Sequence, residues 1–306
     1  MRQAMAEHTA IQWTEATWSP ITGCSVYSPG CTHCYAMTLA GGRLRNHWSR
    51  QGLTRPSAAG PVWTGEVRFN ELWLDQPLRW RKPRMVFVCA HADLFHEDVP
   101  DEWIDRVWTV MAIAHLERGH TFQVLTKRAD RMRRYLTADR STQLGRAAEA
   151  LGYSGPFESL SRTAGIWLGV SCEDQKRLDE RVHELLQTPA AVRWVSAEPL
   201  LGPLDFDPLR WFPTDRAFAP PPKLDWVVCG GESGPRARPC EVAWIRSIRE
   251  QCKKGDVPLF VKQLGATPIT HSVRWHEHGR LRALKDKKGG DPDEWPADLR
   301  VREFPR

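Results

Sequence analysis

Short runs of β-branched and aromatic residues recur along the chain, each followed by a polar turn and usually by a stretch of helical periodicity. That alternation is the signature of repeated βα units and a parallel sheet. About seven runs qualify: one just before Cys24, then Met85–Cys89, Thr121–Thr126, Ile166–Ser171, Val192–Ser196, Trp226–Cys229 and Leu259–Lys262. Pro100-Asp101-Glu102 opens a helix whose apolar positions Trp103, Ile104, Val107, Trp108 and Met111 share a face. Further helices are predicted from about Gln175 to Gln187 and near Val242 to Lys253. The fold class is therefore α/β, a partial TIM-like parallel barrel of about six to seven βα units.

Two stretches break the rhythm. Residues 137–164 are rich in Ser, Ala, Gly and Arg and read as a surface insertion with a short helix around Leu144 to Leu151. Residues 202–223 are too rich in proline for regular helix or central strand. The expected organisation is one barrel domain over 1–264, carrying a cysteine-motif loop at 22–35 and the 137–164 insertion. A C-terminal extension, 265–306, would pack on the barrel.

In parallel barrels chemistry sits at the carboxyl ends of strands, so the polar residues after each run are informative. His91 and Asp93 follow the second run, Lys127 the third, Glu173 the fourth, Glu198 the fifth and Glu232 the sixth; Lys262 and Gln263 end the seventh. Gly230-Gly231-Glu232-Ser233-Gly234 lets a ligand approach the backbone closely and offers a carboxylate to an ammonium group. It lacks the spacing and the immediate helix of a dinucleotide fingerprint. In Ser196-Ala197-Glu198-Pro199 the proline stiffens the turn just past the carboxylate.

Composition changes the picture at three points. The longest apolar run is far too short to cross a bilayer, so a soluble, cytoplasmic protein without a membrane partner is expected. A net charge of +6 permits an anionic partner without demanding one. Fifteen tryptophans, many beside arginines, raise nucleic acid as that partner through two strips, 79–84 and 127–134. Solvated faces and packing residues explain the same composition equally well. A protein partner is also open.

Eight cysteines are too few for a disulfide scaffold in a chain of 306 residues, and only Cys24, Cys31 and Cys34 lie close together. Their spacing is C-x6-C-x2-C, with Pro29-Gly30 forcing a turn that folds the first thiol back toward the other two. Three thiolates hold three irons of a 4Fe–4S cubane and leave the fourth open. With His33 or His47 they would instead complete a structural zinc site.

Three clustered cysteines after a first barrel strand resemble the radical S-adenosylmethionine superfamily. More closely, the chain resembles a phage and bacterial three-cysteine-motif family of unknown function related to it. That resemblance rests on Ile11-Gln12-Trp13-Thr14, Trp18-Ser19-Pro20-Ile21-Thr22-Gly23-Cys24, Asp93-Leu94-Phe95-His96, Val124-Leu125-Thr126-Lys127-Arg128, Gly230 to Gly234 and Leu299 to Pro305. It implies a 4Fe–4S cluster on Cys24, Cys31 and Cys34 with S-adenosylmethionine on its open iron. Glu198, Gly230, Gly231 and Glu232 are the implied cofactor contacts, with Ser171 and Tyr35 added to that set. Lys127, Glu173, Asp93 and Lys262 are the candidates for orienting or polarising a substrate, which nucleic-acid repair or modification would supply. The superfamily places three residues between its first two cysteines where this chain has six, and its glycine-rich segment follows an early strand, not a late one. Two other functions remain open: a nucleic-acid-binding protein with a Cys3His zinc site, and a cluster protein used for redox or sensing alone.

Overall fold

The computed structural model describes residues 9–155, 165–207, 223–270, 273–274, 276–277, 280–281 and 284–305. Seven strands form one sheet: β1 (Ala16–Trp18), β2 (Met85–Val88), β3 (Thr121–Thr126), β4 (Ile166–Ser171), β5 (Val192–Ala197), β6 (Trp226–Gly230) and β7 (Leu259–Gln263). Their order across the sheet is their order in the chain. The β1–β2, β2–β3, β5–β6 and β6–β7 pairs are parallel. Parallel strands in sequential order with helical crossovers are the topology of a partial TIM-like βα barrel, as the periodicity predicts.

The chain divides into two compact units within β4: Met1–Gly169 with Thr188–Ala191, and Val170–Gln187 with Val192–Arg306. In the first unit β1 is only three residues long, and Trp18 anchors it by donating its indole N–H to Trp73 O at 2.7 Å. Helix α1 is Tyr35–Gly41, and α2, Asp101–Arg118, is the long crossover after β2. Asp101 and Glu102 occupy the first turn of α2, Arg118 its last, and Gly119 closes it in a left-handed conformation at φ 72°. From Ile104 to Ala114 almost every α2 residue is buried, which a one-sided helix would not show. The reason is α4 (Ser141–Ala150), whose Ala148 joins Ala112 and Ile113 of α2 in a small core. The 137–164 stretch thus contributes a covering helix close to the predicted place; its residues 156–164 lie outside the described ones. Helix α3, Ala129–Thr137, follows β3.

In the second unit α5 (Gln175–Leu186) is capped by Asp174, whose carboxylate accepts from Arg177 N–H at 2.9 Å. Helix α6, Val242–Lys254, buries Val242, Ile245, Ile248 and Cys252. The last residues run along β7: Val261 N–H donates to Val301 O at 2.9 Å and Glu303 N–H to Leu259 O at 2.8 Å. Trp226 joins them, donating to Glu303 O at 2.8 Å and stacking on Phe304 with centroids 5.5 Å apart. Most of the proline-rich stretch, 208–222, lies outside the described residues. Among the described residues no helix is long and apolar enough to cross a membrane.

Candidate functional site

The cysteine loop leaves β1 through Gly23, whose φ of +95° is one that residues with a side chain rarely adopt. A Cβ there would stand 2.1 Å from Glu66 O, so both conformation and space require glycine immediately before Cys24. The predicted Pro29-Gly30 turn is present as a single 3-10 turn, Pro29–Cys31, with Cys31 N–H donating to Ser28 O at 2.8 Å. Cys34 then caps α1, its carbonyl accepting from Thr38 N–H at 3.0 Å.

Cys24, Cys31 and Cys34 are all free thiols, each partly exposed. Burial pushes Cys24 up to about 12; Arg128 pulls it down, and Asp93, Cys31 and Cys34 add to the rise. Cys34 is likewise raised by burial, with Lys127 opposing. The thiols are therefore near enough to disfavour one another's ionisation, and Arg128 and Lys127 supply the compensating charge. Three unbridged thiols with two cations beside them fit a group that binds thiolates. Among the described residues no three His, Cys, Asp or Glu side chains form a set ready to hold a metal ion. His47 is directed elsewhere: its Nδ1 lies 2.7 Å from Ser49 Oγ and its ring stacks on Trp73 at 5.9 Å.

Arg128 fastens this loop to the ends of β2 and β3. It is 2% exposed and donates to Asp93 at 3.1 Å, to both Glu97 oxygens at 3.2 Å and to Ser25 Oγ at 2.8 Å. Its Nη1 also reaches Cys24 Sγ at 3.7 Å, and its guanidinium lies 4.5 Å over the Tyr27 ring. Burial alone would loosen the Arg128 proton, but Asp93, Cys24 and Glu97 reverse this and hold the guanidinium firmly charged. Asp93 is equally occupied, accepting from Thr126 Oγ1 at 2.6 Å and from the backbones of Lys127 and Phe95 at 3.0 Å. Burial opposes its ionisation, yet Arg128 and these donors keep its carboxyl below the usual range. Asp93 therefore has no lone pair left for a substrate and acts as the anchor of the loop. His96 completes the knot: its Nδ1 accepts from Asp98 N–H at 3.1 Å, so its Nε2 carries the proton and donates to Ser25 Oγ at 2.9 Å. Tyr35 donates its hydroxyl to Ala90 O at 2.6 Å and turns its ring toward solvent, 51% exposed.

The remaining strand-end candidates belong to the second unit. Glu173 is fully buried and paired with Arg181 of α5 at 2.9 Å, which fixes that helix to its strand. Glu232 receives three bonds from Arg238, at 2.9 Å from its backbone N–H and 3.0 and 2.6 Å from its guanidinium. That pairing leaves Glu232 no vacancy for an ammonium group. Glu198 differs. Its Oε1 lies 2.9 Å from Lys262 Nζ, the pair keeps partial access to solvent, and Ser196 Oγ donates to Oε2 at 3.2 Å. Ser171 donates to Glu198 O at 3.1 Å, and the Glu198–Pro199 peptide is cis. Gly230 packs tightly there: a Cβ would stand 3.0 Å from Gln263 O and 3.1 Å from Glu198 Oε1. Gly231 serves the backbone: a Cβ would meet Leu264 O at 2.4 Å.

The two basic strips are divided: Trp80 and Arg128 are buried, while Arg79, Arg81, Lys82 and Arg134 are exposed. Trp80 is buried under Arg84, whose guanidinium lies 5.1 Å over the indole, and Arg79 pairs with Asp75. In the second strip Arg128 is buried, Arg131 holds Asp101 at 3.2 Å and Arg134 holds Asp130 at 3.0 Å. Trp13, Trp18, Trp63, Trp73, Trp80, Trp108, Trp194, Trp226 and Trp295 are all buried, so the abundance of tryptophan mainly fills cores.

No curated protein and no solved structure matches the chain. A model of one family of proteins of unknown function, DUF5131, matches residues 8–291, and the chain belongs to that family.

Proposed function

We propose that this chain is an iron–sulfur enzyme of the radical S-adenosylmethionine type, its cluster held by Cys24, Cys31 and Cys34. The observation that carries the reading is that Cys24, Cys31 and Cys34 are free, partly exposed thiols on the one loop after β1, with Arg128 Nη1 3.7 Å from Cys24 Sγ. When bound, a cluster with one open iron supplies the single electron that cleaves the sulfonium cofactor. The chain's own part is to hold and screen the thiolates. Arg128 offsets charge at Cys24 and Lys127 at Cys34, while Asp93 and Glu97 keep Arg128 in place. Glu173 and Glu232 have no part in the reading, because Arg181 and Arg238 occupy them. Nucleic acid bound through strips 79–84 and 127–134 is not needed for this reading: Trp80 and Arg128 are buried, whereas Arg79, Arg81, Lys82 and Arg134 stay exposed.

The test is anaerobic purification with iron and sulfide analysis, then dithionite reduction with S-adenosylmethionine and chromatography for 5′-deoxyadenosine. A brown protein that forms this product, and a Cys31→Ala variant that does not, is the expected result. Brown protein without product would make the cluster a redox or sensing group. Colourless protein with stoichiometric zinc would replace the enzyme by a zinc-stabilised module.

A further inference from the structure

From residue 16 to residue 65 the chain contains no Asp or Glu, although 37 acidic residues in 306 would place about six in such a stretch. Arg43, Arg45, Arg50 and Arg55 lie within it. Arg50 is buried against His91, at 3.0 Å, and over Trp73. Arg43, Arg45 and Arg55 are exposed and make no ion pair among the described residues.

These arginines stand on one small lobe. Helix α1 packs on a hairpin that pairs Thr54 with Trp63 and Arg55 with Val62, around a core of Ala36, Met37, Ala40, Leu53 and Trp63. The contact is so close that a Cβ on Gly41 would stand 2.2 Å from the Pro61 side chain and 3.0 Å from Thr54 Oγ1. Arg43 acts on His91, whose ring lies 6.1 Å from that of Tyr35. The same lobe and the loop leading into it expose Val26, Tyr27, Tyr35 and Trp48, four of the seven large apolar side chains exposed among the described residues. Trp48 has Trp73 on one side at 4.9 Å and is 43% exposed. Among the described residues, acids stand only at the lobe's border: Glu66 is exposed just past the hairpin, Glu97 is bound to Arg128 and Asp98 lies beside His96.

We propose that this acid-free lobe is a docking surface for single-stranded nucleic acid, with phosphates on Arg43, Arg45 and Arg55 and a base stacked on Trp48. A polyanion fits uncompensated arginines, and unpaired bases fit exposed rings interleaved with them better than an acidic protein surface does. The residues are not those of the two basic strips, and the inference does not rest on the iron–sulfur reading.

The test is fluorescence anisotropy of a labelled oligothymidylate about 20 nucleotides long, over a salt series, with the chain as purified and whatever metal it carries. Replacing the three arginines by glutamine (R43Q, R45Q and R55Q together) is expected to flatten the salt slope by about 2, about 0.7 for each lost phosphate contact. Trp48→Leu is expected to weaken binding roughly five- to a hundredfold with the slope unchanged. Both variants change exposed side chains, and their thermal midpoints serve as the folding control. Absence of binding overturns the proposal. So does binding no tighter than to polyglutamate or heparin and indifferent to Trp48→Leu, which would assign the lobe to an acidic protein.

Discussion

Arg128 and Asp93 form a buried pair, 2% and 7% exposed at their side chains, that holds the cysteine loop from two strand ends. Removing one partner of such a pair leaves a buried charge without its counterion. Asp93→Asn is therefore expected to cost about 3–5 kcal/mol in a urea melt at neutral pH. His91 gives the site a pH dependence. Burial, then Arg50 and Arg43, lower its pKa from 6.5 to about 4, so the folded chain keeps it neutral where the unfolded chain protonates it. Between those values the unfolded state binds more protons, so this contribution is whole above about 6.5 and is lost as pH falls toward 4. Urea midpoints at pH 7 and 4.5 will show the loss, and His91→Gln will flatten it. At this scale the sequence points to Asp93 and Lys127 because each follows an apolar run, but it leaves Arg128 in a basic strip read as a nucleic-acid contact or a solvated face. Its partners are up to 104 residues away, and no local period reports such a contact.

Among elements, the legible ones are those whose environment is uniform along their length. β3 and β4 match their predicted bounds, α2 starts where predicted, and α5 and α6 lie within a residue of theirs. Helix α3 escaped because its buried residues are only Ala129, Met132 and Tyr135 among arginines. The ties Glu173–Arg181 and Glu232–Arg238 escaped too, since an acid after a strand looks the same whether it faces a pocket or a neighbouring arginine. The turn into the cysteine loop carries a sharper expectation. Gly23→Ala combines a left-handed backbone with a Cβ 2.1 Å from Glu66 O, and the strained backbone alone is worth about 1–3 kcal/mol. A drop in thermal midpoint larger with Gly23→Ala than with Gly52→Ala, where φ is +83° but space is open and only the strain applies, will separate the clash from the strain.

For the whole molecule, the sequential parallel sheet was readable because strands covered on both faces appear as continuous apolar runs. The passage from one compact unit to the next was not readable, since it falls at Gly169 and Val170 inside a strand and not in a linker. The wide separation of Cys24 from Arg128 has a consequence during synthesis. The first of the thiols, Cys24, leaves the ribosome 104 residues before the arginine that fastens it. At roughly 5–20 residues per second, that is about 5 to 20 seconds in which three cysteines travel on an unfastened nascent chain. Oxidants and stray metals have first access to them in that interval, and the thiols gain their arginine counter-charge only after Arg128 has emerged.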